Sequence, residues 1–364
     1  MMNGSKPCSL PVVVMKTSSL ILLGSLIFVT PLAAHGAERT AAQPDPQRSI
    51  DNLLGGRFKW SASPVLVAPA MRPDDPCHAI KDPSIVRYED RWHVFCTIRS
   101  QKRTHQIEYL SFDSWKNANN AQRHVLKLSD AYFCAPQVFY FNPHQKWYLI
   151  CQVSDESRKP SLQPAWSTAS RIDEPDSWSK PTLLFAEQPD NVKMWIDFWV
   201  ICDATRAHLF FTSLDGQMWR AETPRASFPH GWSKPSVVLR GDIFEASHTY
   251  RLKGLGKFLT LVEAQAGNRR YYKAYLADRL DGEWTPLAGT KEKPFAGPAN
   301  VRDGGTHWTD SFSHGELIRD GIDQSLEVDP SNLRFLFQGV SDDAVREKKY
   351  GDIPWQLGLL EPQE

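Results

Sequence analysis

The chain has no excess charge of either sign: 42 Lys and Arg stand against 42 Asp and Glu. Such a balance offers no electrostatic attraction to nucleic acid or to an anionic membrane, so neither is expected as a partner. Long apolar runs are scarce as well. The N-terminal run Leu20 to Val29 is broken by Gly24 and followed by Pro31, which makes it too short for a comfortable membrane span. Cysteine is sparse and never takes the C-x-x-C spacing of a metal site. There is no phosphate loop, no G-x-S-x-G elbow and no H-E-x-x-H, so nucleotide, serine-hydrolase and zinc-protease chemistry have no residues to rest on. Three-four helical periodicity is almost missing, which points away from helical architectures.

The N-terminus has the layout of a processed segment. Lys6 and Lys16 precede or flank the apolar run, Met15 offers an alternative start, and Ala34-His35-Gly36 supplies small residues for cleavage before Ala37. Residues 1–36 are expected to be a secretory signal peptide, leaving a mature protein secreted to the periplasm or the exterior. Residues 37–55, rich in Ala, Gln, Pro, Asp and Arg without a hydrophobic period, read as a disordered linker. Residues 56–364 then form one catalytic domain, expected to act as a monomer. Signal cleavage leaves Cys77, Cys96, Cys134, Cys151 and Cys202, an odd number that keeps at least one thiol unpaired. Cys96 and Cys202 lie in apolar runs and read as buried, and a Cys134–Cys151 bridge is open.

What the chain has in plenty is tryptophan, 13 in all, and five of them keep a period. Trp60, Trp115, Trp178, Trp232 and Trp284 follow one another at intervals of 55, 63, 54 and 52 residues. Strand-like runs parted by turn signals lie between them. One unit reads 82–88, a turn at Glu89-Asp90, 92–98 and 107–112; the next reads 135–141, a turn at Asn142-Pro143-His144, 147–153 and 165–168. Later units open at Trp195, Phe244 and His314. Five antiparallel units of this kind predict an all-β fold, a five-bladed β-propeller. A β-sandwich with extra strands is the competing architecture, and it would not need near-equal repeats. In a propeller the first strand of each blade lines the axis, so residues opening the units face one cavity.

Three of those openings are acidic: Asp82, Asp197 and Glu245. A carboxylate beside aromatics is costly to bury unless something uses it. Glycosidic hydrolysis needs one carboxylic acid to protonate the leaving oxygen and one carboxylate to activate water or attack carbon. A third acid nearby keeps the proton donor protonated by like-charge repulsion. Asp82 follows Lys81, whose cation favours ionisation and suits a base. Asp197, among Trp195, Ile196, Phe198 and Trp199, and Glu245, after Phe244, sit where burial raises a carboxyl pKa, which suits an acid. Each also has a structural reading: an Asp-Pro turn for Asp82, a paired buried carboxylate for Asp197, a cross-strand pair with Glu263 for Glu245. His314 should reach the axis too, as a hydrogen-bonded core histidine or as a metal ligand.

Taken in order, Lys81-Asp82-Pro83-Ser84, Ala135-Pro136-Gln137-Val138-Phe139-Tyr140-Phe141, Trp195-Ile196-Asp197-Phe198-Trp199, Phe244-Glu245-Ala246-Ser247, Ser313-His314-Gly315-Glu316 and Pro354-Trp355-Gln356-Leu357-Gly358 resemble the α-L-arabinofuranosidases of glycoside hydrolase family 62. The likeness runs from about Phe58 to Leu360. It implies a five-bladed propeller that releases arabinofuranose side groups from arabinoxylan with inversion. By motif match Asp82 would be the general base, Glu245 the general acid, and Asp197 the residue that tunes and positions the acid. Lys81, Gln137 and Tyr350 would contact substrate. The family often places a polar residue directly after that tyrosine, whereas Gly351 stands here. The resemblance also implies a calcium ion near the axis, with His314 as its histidine, while the chemistry itself asks for no redox or organic cofactor. Competing functions are a related propeller hydrolase acting on arabinan or β-xylosides, and a non-catalytic carbohydrate-binding propeller.

Overall fold

The computed structural model describes residues 45–363. Residues 1–36, expected to be a signal peptide, and residues 37–44 of the expected linker lie outside that range. From there on the linker reading is corrected: Pro46–Leu54 is an α-helix, with the Asp45 side chain accepting from the Gln47 N–H at its N-terminus and Pro46 in its first turn. Asp is a good N-cap and Pro a good first helical residue, so the local chemistry is sound. The helix fully buries only Leu53, and its few apolar residues, Ile50, Leu53 and Leu54, stand on one face of an otherwise polar segment.

Five sheets follow, each of four or five strands. Blade one is built from Cys77–Tyr88, Arg91–Ser100, Gln106–Phe112 and Arg123–Val125. Blade two comprises Phe133–Phe141, Lys146–Ser154, Leu162–Ala169 and Thr182–Leu183, and blade three Ile196–Cys202, Arg206–Thr212, Gln217–Pro224 and Ser236–Arg240. Blade four contains Ser247–Leu252, Lys257–Ala266, Arg269–Ala277 and Thr285–Ala288. In blade five, Ser311–Leu317, Phe335–Val340 and Gln356–Pro362 are joined by Trp60–Ala62 from the other end of the chain. That antiparallel pairing closes the ring. Neighbouring blades cover both faces of the innermost strands: Ile196–Cys202 and Ser311–Leu317 are buried at every residue. Outer strands are short, which limits the exposed edge each blade offers to other chains.

The repeating tryptophans all take one place in this plan. Trp115, Trp178, Trp232 and Trp284 each lie between the third and fourth strands of a blade, and Trp60 opens the fourth strand of blade five, with Val301–Asp303 paired outside it. The expected hairpin at Glu89-Asp90 is also present, both residues with positive φ (47° and 58°), as a two-residue turn compatible with strand twist requires. The five cysteines among the described residues are all buried and unbridged. A Cys134–Cys151 disulfide is ruled out by register: Cys134 pairs with Gln152, so Cys151 points to the other face of the sheet.

Near the axis each blade is irregular where its innermost strand begins, by a left-handed residue, a bulge or both. The backbone turns left-handed at Asp82, Ala135, Asp197 and Ala246, with φ of 49°, 49°, 56° and 48°. Bulges interrupt pairing at these places in blades one, two and three, and at Ser313/Gly315 in blade five. Two residues further along each strand, a side chain ties one blade to the next. Val138 N–H donates to Ser84 Oγ at 2.9 Å, and the Gln137 amide makes two 2.7 Å bonds to the backbone of Val200. Trp199 Nε1 donates to the Thr249 carbonyl at 2.9 Å, and His248 Nδ1 to the Gly315 carbonyl at 2.6 Å. Glu316 Oε2 accepts from Ile85 N–H at 3.1 Å and Ser84 Oγ at 2.7 Å, completing the circle.

Candidate active site

The left-handed turns aim side chains into the axial cavity. A non-glycine residue pays about 1 kcal/mol to hold such a φ. Asp82 and Asp197 accept that cost at equivalent positions of blades one and three, while Glu245 precedes the equivalent Ala246 in blade four. The three acids therefore converge, but Glu245 enters one residue earlier than strict repetition would place it.

Several bonds hold the cluster. Asp82 N–H donates to Gln338 Oε1 at 2.7 Å, and Ala246 N–H donates to Asp197 Oδ2 at 3.0 Å. Lys81 Nζ stands 3.6 Å from Asp82 Oδ1. His314 Nδ1 lies 3.6 Å from Asp82 Oδ1 and 3.8 Å from Asp197 Oδ2, beyond hydrogen-bond reach, so it acts on both through its field. Glu263 does lie across from Glu245, its N–H donating to the Glu245 carbonyl at 2.9 Å, but its carboxylate is occupied elsewhere: Ser313 Oγ and His314 N–H both donate to it at 2.9 Å. Among the described residues no hydrogen bond reaches the Glu245 carboxyl, which is partly exposed to the cleft.

This environment drives the acids apart. Burial works against ionisation of Asp82, yet Lys81, His314 and the Thr97 hydroxyl outweigh it and hold the carboxyl below its ordinary value. For Glu245, burial and then the neighbouring Asp197 and Glu263 push the carboxyl well above the ordinary range. Burial raises Asp197 as well, against the opposing pull of His314. One carboxylate is kept charged and another kept protonated, which is how a site assigns base and acid to the same functional group.

The substrate-contact expectations divide. Lys81 belongs to the cluster. Tyr350 is 48% exposed, and its ring receives Lys81 Nζ at 5.4 Å and Arg270 Cζ at 5.9 Å from the centroid, so it stands at the mouth. Gln137 does not reach the cavity: it is fully buried and both ends of its amide are spent on Val200, so its role is to join blades two and three. His314 reaches the axis as expected. Among the described residues, however, no three His, Cys, Asp or Glu side chains gather as a metal-holding group. Calcium takes six to eight oxygens. One imidazole nitrogen beside carboxylates already matched to Lys81 and Ala246 does not make such a cage.

Sequence reasoning passed over Gln338, Thr97 and Arg270. Arg270 stacks on Phe244, its Cζ 3.6 Å from the ring centroid, and fixes the strand entry that carries Glu245. These residues come from second and third strands, where no acidic opening marked them.

The model of glycosyl hydrolase family 62 matches residues 59–361. The chain belongs to that family. Among its relatives, α-L-arabinofuranosidase C of Cellvibrio japonicus is 39% identical over 315 residues, 84% of this chain and 47% of that protein. The chain thus spans about half the length of that curated relative. The catalytic domain of a Coprinopsis cinerea GH62 α-L-arabinofuranosidase superposes with a TM-score of 0.80 at 34% identity, covering 85% of this chain and 98% of the other. A GH62 hydrolase crystallised with xylotriose superposes at 0.79 with 36% identity, over 86% and 99% of the two chains. The family 62 propeller and the cluster at its axis are therefore one assembly in this protein.

Proposed function

We propose that the protein is a secreted, monomeric α-L-arabinofuranosidase that removes arabinofuranosyl groups from arabinoxylan with inversion of configuration. The observation that carries this reading is the opposed bias of two carboxyls on one axis: Asp82 held ionised, Glu245 held protonated. The family's xylotriose complex and its arabinofuranosidase members supply the substrate class. Export rests on the N-terminal pattern alone.

Glu245 donates its proton to the glycosidic oxygen as the bond to the arabinose anomeric carbon breaks. Asp82 accepts a proton from the water that attacks that carbon from the opposite face. Afterwards Asp82 is protonated and Glu245 ionised, and exchange with solvent restores both. Inversion needs room for the water, which corresponds to carboxyl groups roughly 6.5–9.5 Å apart. Asp197 holds its place through the Ala246 N–H and favours the protonated form of its neighbour Glu245. Lys81 keeps Asp82 charged at the pocket floor, and the exposed ring of Tyr350 offers a face to the polymer.

Incubation with wheat arabinoxylan tests the reading, with monosaccharides separated by chromatography and anomers followed by proton NMR. The expected result is arabinose alone, first as the β-anomer, and none from Glu245→Gln. Release of xylose, or the α-anomer first, would overturn substrate or stereochemistry respectively.

A further inference from the structure

The turn that carries Tyr350 holds a feature for which the carboxylate chemistry has no use. Gly351 lies in the short 3-10 turn Tyr350–Asp352, and a Cβ placed on it would stand 2.7 Å from Nη1 and 3.0 Å from Nη2 of Arg99. The guanidinium occupies space that any side chain at 351 would fill. His78 Nε2 donates to the Gly351 carbonyl at 3.0 Å and so ties the turn to blade one.

Arg99 is partly exposed and its buried Nε has no hydrogen-bond partner. Among the described residues it forms no ion pair. The other buried acids of blade one are claimed already, Asp75 by Arg103 and Glu108 by Arg72 and Arg123. His105 stands in the same field. Burial, then the charges of Lys81 and Arg99, push its imidazole down to about 3, and its buried Nδ1 is also without a partner. The wall beside the exposed tyrosine therefore carries a cation without an ion-pair partner among the described residues, with a planar fork of donors. A guanidinium in that state is matched by a carboxylate, which it binds through two parallel hydrogen bonds.

We propose that Arg99, accommodated by Gly351, binds the carboxylate of a uronic acid side group carried by the xylan chain close to the arabinose that is released. The inference rests on the arabinoxylan reading above and adds an acidic substituent to it. A neutral sugar would leave the cation unpaired.

Binding is measured by calorimetry on Glu245→Gln protein with two ligands, a xylo-oligosaccharide bearing glucuronic acid and the same compound with its carboxyl reduced to the alcohol. The expected result is about tenfold tighter binding of the acidic compound, the scale of one charge-assisted contact. Adding Arg99→Gln should bring the ratio to about one. Gly351→Asn, whose side chain displaces the guanidinium without removing it, should lower the ratio too. Equal affinities in the parent protein overturn the proposal, and so does an equal loss for both ligands in Arg99→Gln. The two readings fail separately. Arabinose release with equal affinities removes the carboxylate site alone, whereas an Arg99-dependent preference without arabinose release removes the arabinofuranosidase reading alone.

Discussion

Asp82 and Glu245 are the same functional group placed in opposite surroundings, and their titration should show it. Activity needs Asp82 ionised and Glu245 protonated. The acid limb of the pH profile is therefore expected below the ordinary Asp value of about 3.9, and the basic limb above the ordinary Glu value of about 4.3. Asp82→Asn and Glu245→Gln should each lose at least about 10²-fold in kcat, the scale for removing a general base or acid. Asp197→Asn takes away a like charge that raises Glu245, so its basic limb should move to lower pH; an unmoved limb would assign Asp197 to positioning alone. The raised Glu245 value is also a statement about stability. Its folded pKa exceeds the unfolded one, so its contribution is complete below the unfolded pKa and is lost as pH rises towards the folded value. The melting temperature of Glu245→Gln, relative to the parent, should accordingly climb between about pH 4 and pH 7. A flat difference across that range would mean the carboxyl is not held protonated.

The innermost strands carry both the chemistry and the joints between blades, alternating within a few residues. Position 82 and its equivalents aim inward, and the side chains two residues on reach sideways. The inward set was legible, because an acid opening an apolar strand is conspicuous. The sideways set was not: Ser84, Gln137, Trp199, His248 and Glu316 share no chemistry, and their partners lie in the next blade, far along the chain. That is why Gln137 read as a substrate contact from its motif. The structure gives it a different test. Gln137→Leu leaves the Val200 N–H and carbonyl buried without partners, which should cost about 2–4 kcal/mol of unfolding free energy. KM for arabinoxylan should stay where it was. A raised KM with unchanged stability would return Gln137 to the cleft.

For the molecule as a whole, the number of blades could be read from the tryptophan period, whereas the way the ring closes could not. Trp60 looks like the start of a first unit in the sequence. In space it opens the fourth strand of the last blade, pairing with Gln356–Pro362 on one side and Val301–Asp303 on the other, its indole N–H bonded to the Phe295 carbonyl. Period and phase are separate pieces of information, and only long-range pairing fixes the phase. Trp60 and Trp115 occupy corresponding places in their blades, yet they should not be equivalent energetically. Trp115 is partly buried beside Trp92 and Phe112 within a blade that is continuous in sequence. Trp60 is 2% exposed, packs on Phe58 and Phe295, and belongs to the strand that joins the two ends of the chain. Trp60→Ala should therefore lose about 3–5 kcal/mol in urea unfolding, as for a fully buried aromatic, and expose the Gln356–Pro362 edge. Trp115→Ala should lose clearly less and keep a single cooperative transition. Equal losses would mean that the strand pairing closes the ring without help from the indole, and that the repeated tryptophans serve local packing in all five blades alike.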